Sequence, residues 1–423
     1  MDIITHNQAN FFITGERDQS FGHEGTITLF ELDHPLDLDR HIKGIKVLAD
    51  DKILAGVWLA HELRGLFGLA RFHSDGSVDT SFAEKGLAHG SFADGYDCAG
   101  GKVAVQADGH IVMLGWSRKV DINSPKRLVI SRFDKDGAAD QSFGRQGCVV
   151  IDNSHLGELE SDSGDLQLLA DGTLLVCATY LTDDSSIGVI IRLNARGEPD
   201  NNFNQSGQLE IRHPAFIGTS ANALSVQPGC CILVAGGARY SASEVQGYIA
   251  RYSETGQLDT EFGDTETPGF STLKITNGTI IFHELIDAGE DKFVGVGLAS
   301  VGKRNWGMLA GVDATGNPYP TFNGGRPVLT SFNAEHGNEW ICAYRQADGK
   351  IVAAGGVNRL YTARYLANGS VDRTFGQQGC IQEDTPMKAP PAELQMQTNG
   401  RILLATNTLG IGGALGHIYG YHS

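Results

Sequence analysis

The 423-residue sequence predicts an all-β protein, a seven-bladed β-propeller of four-stranded antiparallel blades. Three observations predict it. A short motif closing on Phe recurs about every 60 residues along the chain; a hairpin-like motif recurs between its copies in fixed phase; and no segment holds a sustained helical apolar period. The 55 glycines against 12 prolines describe a turn-dense chain rather than a collagenous or disordered one.

The Phe motif appears as RFHSDGSVDTSF, RFDKDGAADQSF, RLNARGEPDNNF, RYSETGQLDTEF, GVDATGNPYPTF and RYLANGSVDRTF, with a truncated opening copy ITGERDQSF. Its aromatic falls at Phe21, Phe82, Phe143, Phe203, Phe262, Phe322 and Phe375. Within it, Gly15, Gly76, Gly137, Gly197, Gly256, Gly316 and Gly369 hold one position, where a third strand turns into a fourth and positive φ is expected. The Phe itself is expected to be a core anchor.

The hairpin motif reads VLADDKILAGV, VQADGHIVMLG, LLADGTLLVCA, VQPGCCILVAG, IDAGEDKFVGVG, RQADGKIVAAGG and MQTNGRILLATN. Apolar, β-branched runs flank Asp-Gly or Asn-Gly, dipeptides that suit a tight hairpin turn. Pro228-Gly229 in the fourth copy and a longer turn around Gly289 in the fifth depart from it. A third strand precedes each Phe motif and a fourth follows it, so each period supplies a sheet that buries its faces only against neighbours. The N-terminus supplies a fourth strand near Thr26 to Phe30, and the C-terminus a hairpin around Asn399-Gly400 and a third strand ending near Ser423. Together these make a closing blade shared by both chain ends, leaving no exposed edge. The chain is then a single propeller domain over residues 1–423.

The pattern RF-x-x-x-G-x-x-D-x-x-F-G-x-x-G, with Q-x-D-G-K-I in phase, resembles the bacterial delta-60 repeat, a family of propeller repeats of unknown function. The resemblance implies the fold; it implies no catalytic residues.

Arg71 and Asp79, Arg132 and Asp140, Arg192 and Asp200, Arg251 and Asp259, and Arg364 and Asp372 stand eight apart across the third turn, which predicts ion pairs. In the fifth copy both are replaced together, by Gly311 and Tyr319, as expected if one stranded charge is costlier than neither. Asp18 does not fit, since Asn10 or Ser423 stands where its Arg should be. Asp134, Asp136 and Asp140 imitate a calcium loop in one copy only, too few ligands elsewhere for a repeated site.

A net charge of −17 disfavours nucleic acid and anionic lipid. With no apolar run of membrane-spanning length, membrane insertion is not expected, and a monomer is. The N-terminus lacks a secretory pattern, so a cytoplasmic protein, or one exported without a cleavable signal, is expected. Seven cysteines without C-x-x-C spacing read as small hydrophobes rather than a zinc site. No cofactor or metal is expected. His61-Glu62 and His283-Glu284 begin H-E-x-x-H, but Gly65 and Asp287 occupy the second ligand position.

The functional expectation is a non-catalytic scaffold that binds a protein or carbohydrate through its variable loop face. The alternative is a hydrolase or lactonase-like enzyme with a metal in the central channel. Trp58, Trp116, Trp306 and Trp340 fall near that face, with Trp306 in the second-to-third-strand loop of the fifth blade. Tyr96, Asp97, Tyr180, Asp183, Asp184, Tyr240, Arg304, His336 and Glu339 complete the candidate set. Aromatic surface beside polar groups suits sugars and protein hot spots.

Overall fold

The computed structural model describes residues 14–32, 39–61, 64–93, 95–120, 124–160, 164–227, 231–302, 304–332, 337–410 and 413–423. His336, Asn10, Glu62, Cys230 and the Pro228-Gly229 turn lie outside the described residues. Among the described residues the fold is all β, with three short 3-10 turns, and it is a propeller. No described helix is long and apolar enough to cross a membrane.

In chain order, β1 (Thr26–Thr28) is followed by the meander β2 (Arg40–Val47), β3 (Ile53–His61), β4 (Arg64–Phe72) and β5 (Leu87–Gly90). Next come β6 (Tyr96–Val105), β7 (Ile111–Lys119), β8 (Arg127–Phe133) and β9 (Cys148–Ile151). The third meander joins β10 (Glu158–Leu159) and β11 (Asp165–Leu168) to β12 (Leu174–Leu181), then β13 (Ser186–Leu193) and β14 (Gln208–Ile211). The fourth joins β15 (Gly218–Thr219) and β16 (Ala223–Gln227) to β17 (Cys231–Ser241), then β18 (Glu244–Ser253) and β19 (Phe270–Leu273). β20 (Gly278–Gly289), β21 (Lys292–Val301), β22 (Arg304–Val312) and β23 (Val328–Thr330) follow. Then come β24 (Cys342–Arg345), β25 (Ile351–Gly355), β26 (Arg359–Tyr365) and the long β27 (Cys380–Met396).

β27 begins as the outer strand of that meander and ends as the inner strand of the closing one, with β28 (Ile402–Gly410) and β29 (Gly413–Tyr421). β1 pairs antiparallel with β29, Thr26 opposite Tyr419 and Thr28 opposite His417, so the chain's two ends share one sheet. The N-terminal strand is shorter than its sequence suggests because Leu29–Glu31 turn into a 3-10 helix.

The recurring Phe residues are all buried, 0–1 % exposed. The residue after each donates its N–H to a turn carbonyl of the next meander: Gly22 to Asp75 (2.7 Å), Ala83 to Asp136, Gly144 to Arg196, Asn204 to Thr255, Gly263 to Thr315, Asn323 to Asn368, and finally Gly376 back to Thr14 (2.9 Å). The ring is therefore laced by main-chain bonds. The recurring Gly sits inside this contact. Gly137 has φ +92°, and a Cβ there would lie 2.7 Å from Phe82 Cζ, so it needs both left-handed backbone and room for the preceding anchor.

All five Arg–Asp pairs form, at 2.8 Å (Arg71–Asp79), 2.6 Å (Arg132–Asp140), 3.0 Å (Arg192–Asp200), 2.8 Å (Arg251–Asp259) and 2.8 Å (Arg364–Asp372). The expectation for Asp18 is corrected. Its partner is Arg401, at 2.7 Å, the residue just after the Asn399-Gly400 turn. Gly420 occupies the usual Arg position there, and a Cβ on it would press on the Arg401 side chain at 3.1 Å. The joint loss in the fifth copy is steric as well as electrostatic. The Tyr319 ring fills the space over Gly311, whose Cβ would meet it at 2.7 Å.

Cys98, Cys148, Cys177, Cys342 and Cys380 carry free thiols, all buried except the half-buried Cys148. Cys231 departs from the small-hydrophobe expectation: it is disulfide-bonded.

Candidate functional site

The first strand of each meander lines the axis, and the repeat register decides which residues meet there. Residues paired across from Gly56, Cys177, Ala235, Val296, Ala354 and Ala405 are Gly44, Asp165, Ala223, Glu284, Cys342 and Glu393. Lys102 takes the same position in β6, beside a register shift between Gly100 and Val103. The result is a layer across the channel in which the Lys102 ammonium is bonded to Asp165 (3.0 Å) and feels the charges of Glu284 and Glu393.

The three carboxylates differ in how well they are satisfied. Asp165 accepts the N–H groups of Leu166 (2.8 Å) and of Leu224 in the next meander (3.0 Å), and an amide hydrogen of Gln167. Glu393 accepts the N–H of Ile45, again from the next meander (3.1 Å), and an amide hydrogen of Gln395 (3.0 Å). Glu284 accepts only the N–H of Leu285, at 3.3 Å, among the described residues. Burial raises the carboxyls of both Glu284 and Glu393, and for Glu284 the Lys102 charge offsets this only in part, leaving it pushed up to about 7. Burial works against the Lys102 ammonium, but Asp165, Glu284 and Glu393 outweigh it and raise the group well above the usual lysine range.

The layer separates two chambers that share Lys102 and Glu284. On the hairpin-turn face lies a cavity of about 370 Å³, whose polar wall is Lys46, Asp165, Gln167, Tyr344, Glu393 and Gln395. On the variable loop face lies one of about 320 Å³, with Lys43, Trp116, Glu160, His283 and the Pro390-Pro391 segment of β27 on its wall. His283 is the extra residue at a register shift in β20, and burial lowers its imidazole to about 4, so it is neutral at pH 7. A third cavity, about 520 Å³, opens between the third and fourth meanders beside His155, His213 and Phe216. Among the described residues no group of three or more His, Cys, Asp or Glu is arranged to hold a metal ion. Asp165, Glu284 and Glu393 are organised instead around the Lys102 ammonium.

The candidate aromatic set is dispersed among several environments. Trp116 lines the loop-face chamber, with the Lys126 ammonium 4.9 Å from its ring. Trp58 packs edge-on against His41 at 4.8 Å, and its buried indole N–H has no hydrogen-bond partner among the described residues. Trp340 is fully buried and donates to the Tyr365 hydroxyl (3.0 Å). Trp306 sits within β22, opposite Ala299, because the turn before it is tight; it is not in a loop, and Arg304 lies 4.4 Å over its ring. Asp97 is buried, accepting from the Gly65 N–H (2.7 Å) and from Arg118 (2.9 Å), while Tyr96 beside it is half-buried. Tyr180 is buried, and Tyr240 packs on Phe216 at 5.0 Å beside the third cavity. Asp183 and Asp184 are exposed, and Glu339 is half-buried, its carboxyl raised by burial.

Sequence motifs missed Lys46, Lys102, Asp165, Glu284 and Glu393. For the last four the signal is vertical: one position of the first strand carries charge in four copies out of seven, while Lys46 stands two residues beyond that position in its own strand.

Five segments, residues 48–82, 106–143, 169–203, 232–262 and 346–375, match the family described as "Domain of unknown function (DUF5122) beta-propeller". These five segments are thus similar to the β-propeller repeats of a family of unknown function. Among solved structures it is similar to polysaccharide lyase Uly1 (11 % identity, 97 % of each chain, TM-score 0.50). It is also similar to the Dos1 propeller (9 % identity, 89 % of this chain and 81 % of that one, TM-score 0.43). A third is the aldose sugar dehydrogenase of Streptomyces coelicolor (10 % identity, 93 % and 97 %, TM-score 0.39). At 11 % identity the likeness to the lyase is one of fold alone. A comparison with curated proteins yields no match.

Proposed function

We propose that the protein is a seven-bladed propeller of four-stranded blades that serves as a monomeric binding scaffold, taking a carbohydrate at the loop-face mouth of its channel. The observation that carries this reading is the loop-face chamber itself. The Trp116 indole stands in one wall with Lys43, Glu160 and the neutral His283, and Lys102 and Glu284 line the same chamber. An aromatic plane with donors and acceptors at its edge suits a sugar ring, which presents C–H faces and equatorial hydroxyls. The other predicted aromatics stabilise blades in this reading, and the loops differ between copies because they shape one mouth on a rigid ring.

Titration of neutral and acidic oligosaccharides against Trp fluorescence tests it. Saturable quenching that disappears in Trp116→Phe supports the reading; quenching that persists in Trp116→Phe, or none with any sugar, sinks it. One observation favours a second reading, an acid–base enzyme in the same chamber. Glu284 is held near neutrality inside a cavity, the condition of a general acid, and the similar fold of a polysaccharide lyase is compatible with it. Turnover of a bound oligosaccharide, lost in Glu284→Gln while binding is kept, would favour that reading.

A further inference from the structure

The chamber on the hairpin-turn face has a chemistry of its own. Its walls carry opposite charges that do not fully satisfy one another. Lys46, on β2, lines this chamber and not the other; its charge is felt by Glu393, yet among the described residues it makes neither a hydrogen bond nor an ion pair. Glu284, on β20, presents a carboxylate that accepts a single 3.3 Å hydrogen bond, from its own neighbour Leu285. Asp165 and Glu393 are different: each receives an N–H from the following meander and an amide from a Gln two residues on. β20 has Ile286 where those strands have Gln167 and Gln395, so Glu284 lacks the equivalent amide. The cavity of about 370 Å³, which Tyr344, Gln167 and Gln395 also line, therefore holds one cation without a contact partner among the described residues and one under-satisfied carboxyl group.

Lys46 and Glu284 are both half-buried and face this confined space; a polar group held in a cavity without a full set of partners gains from a ligand that supplies the missing one. A ligand bearing only a positive charge would satisfy Glu284 and be repelled by Lys46; one bearing only a negative charge would do the reverse. We infer that the hairpin-face chamber is a binding site for a small zwitterion, a molecule carrying both an ammonium and a carboxylate group, with its ammonium on Glu284 and its carboxylate on Lys46. The volume suits a molecule of amino-acid size, and the predominantly polar walls disfavour a large apolar side chain. Both chambers share Glu284, but Trp116 lines only the loop-face chamber and Lys46 only this one, so variants of these two residues distinguish the inference from the carbohydrate reading.

Calorimetric titration of the full chain tests it. The probes are glycine, β-alanine, 4-aminobutanoate and 6-aminohexanoate, which lengthen the ammonium-to-carboxylate separation stepwise, with propylamine and propionate as singly charged controls. Saturable binding of at least one zwitterion is expected, at least tenfold tighter than either control. Lys46→Met and Glu284→Gln should each weaken it at least tenfold, while Lys46→Arg, which keeps the charge, should stay within about threefold of the parent. Absence of saturable binding across the series overturns the proposal. So does equal binding of a control, or a loss confined to one of the two charge variants, since the site would then recognise a single charge. Trp116→Phe should leave this binding unchanged, which separates its outcome from that of the sugar titration.

Discussion

Arg401 and Asp18 form a 2.7 Å ion pair across 383 residues of chain, both nearly buried, and the pair stands where other repeats pair Arg and Asp eight residues apart. The guanidinium also donates to the Gln397 side chain and to the Ser74 carbonyl of the adjoining meander, and lies 4.9 Å over the Phe21 ring. One side chain thus ties the C-terminal hairpin to the N-terminal Phe motif and to the first complete meander. Arg401→Ala should destabilise the fold by about 3 kcal/mol, because it strands a buried carboxylate. In a double-mutant cycle with Asp18→Ala, the two losses should be strongly less than additive; additive losses would show that the pair contributes no coupling.

The Gly311–Tyr319 exchange makes a reciprocal prediction. Gly311→Arg alone should be destabilising, since the Tyr319 ring occupies the space its side chain needs. Adding Tyr319→Asp recreates the pair used elsewhere, and the double variant should recover most of the lost thermal stability. A double variant no more stable than the worse single one would contradict the equivalence of the two solutions.

The recurring turn glycine is constrained twice. Gly137→Ala places a Cβ at φ +92° and 2.7 Å from Phe82, so a loss of about 2 kcal/mol or more is expected from strain and displacement together. Gly302, also at positive φ but with open space around it, should lose less on the same change. Chemical denaturation of the two variants compares them directly, and equal losses would remove packing from the explanation.

Two sets of carboxylates should give the stability profile opposite slopes. Glu284 has a folded-state value near 7, above the usual glutamate range, so the native state holds a proton that the unfolded chain releases. Its contribution is complete below about pH 4.5 and declines as pH rises through 7. Glu284→Gln should therefore be more stable than the parent at pH 8 and show no gain at pH 4.5. A gain that does not vary with pH would contradict the assignment.

The turn aspartates act in the other direction. Burial alone would raise Asp79 and Asp372, but hydrogen bonds from Ser81, Lys52 and Thr374 and the nearby arginines hold them below the usual aspartate range, and Asp18 and Asp140 behave likewise. Their contribution is present above the unfolded value near 3.9 and is lost as pH falls through the depressed folded values. Acid unfolding of the parent should begin below pH 4, and Asp372→Asn should move its midpoint upward; an unchanged midpoint would argue against this role.

Much of the fold was legible because it is written locally. Asp-Gly turns, alternating strands and the G-x-x-D-x-x-F turn each act within a dozen residues, and of the six arginines paired with a Phe-motif aspartate five lie inside the same motif. The sixth was not, because Arg401 approaches from a different strand and Gly420 makes way for it. Candidate site residues chosen for residue type fared unevenly for a related reason. Trp58, Trp116 and Trp306 all sit near strand ends, but sequence does not tell which indole turns to a cavity and which packs on a neighbour. Trp116 reaches the chamber wall, while Trp340 is enclosed under Phe332 and Tyr365.

By itself the sequence determined the strands, their turns and the phase in which they repeat, since hydrogen-bonding and φ preferences of neighbouring residues settle these. Only the tertiary structure decided what meets at the axis. Lys102, Asp165, Glu284 and Glu393 are each ordinary in their own strand, and they become one charge layer because the ring aligns the same position of the first strands on a common channel. Their separation along the chain is large, so no local preference links them; closure of the ring, through β1 on β29 and Gly376 on Thr14, does.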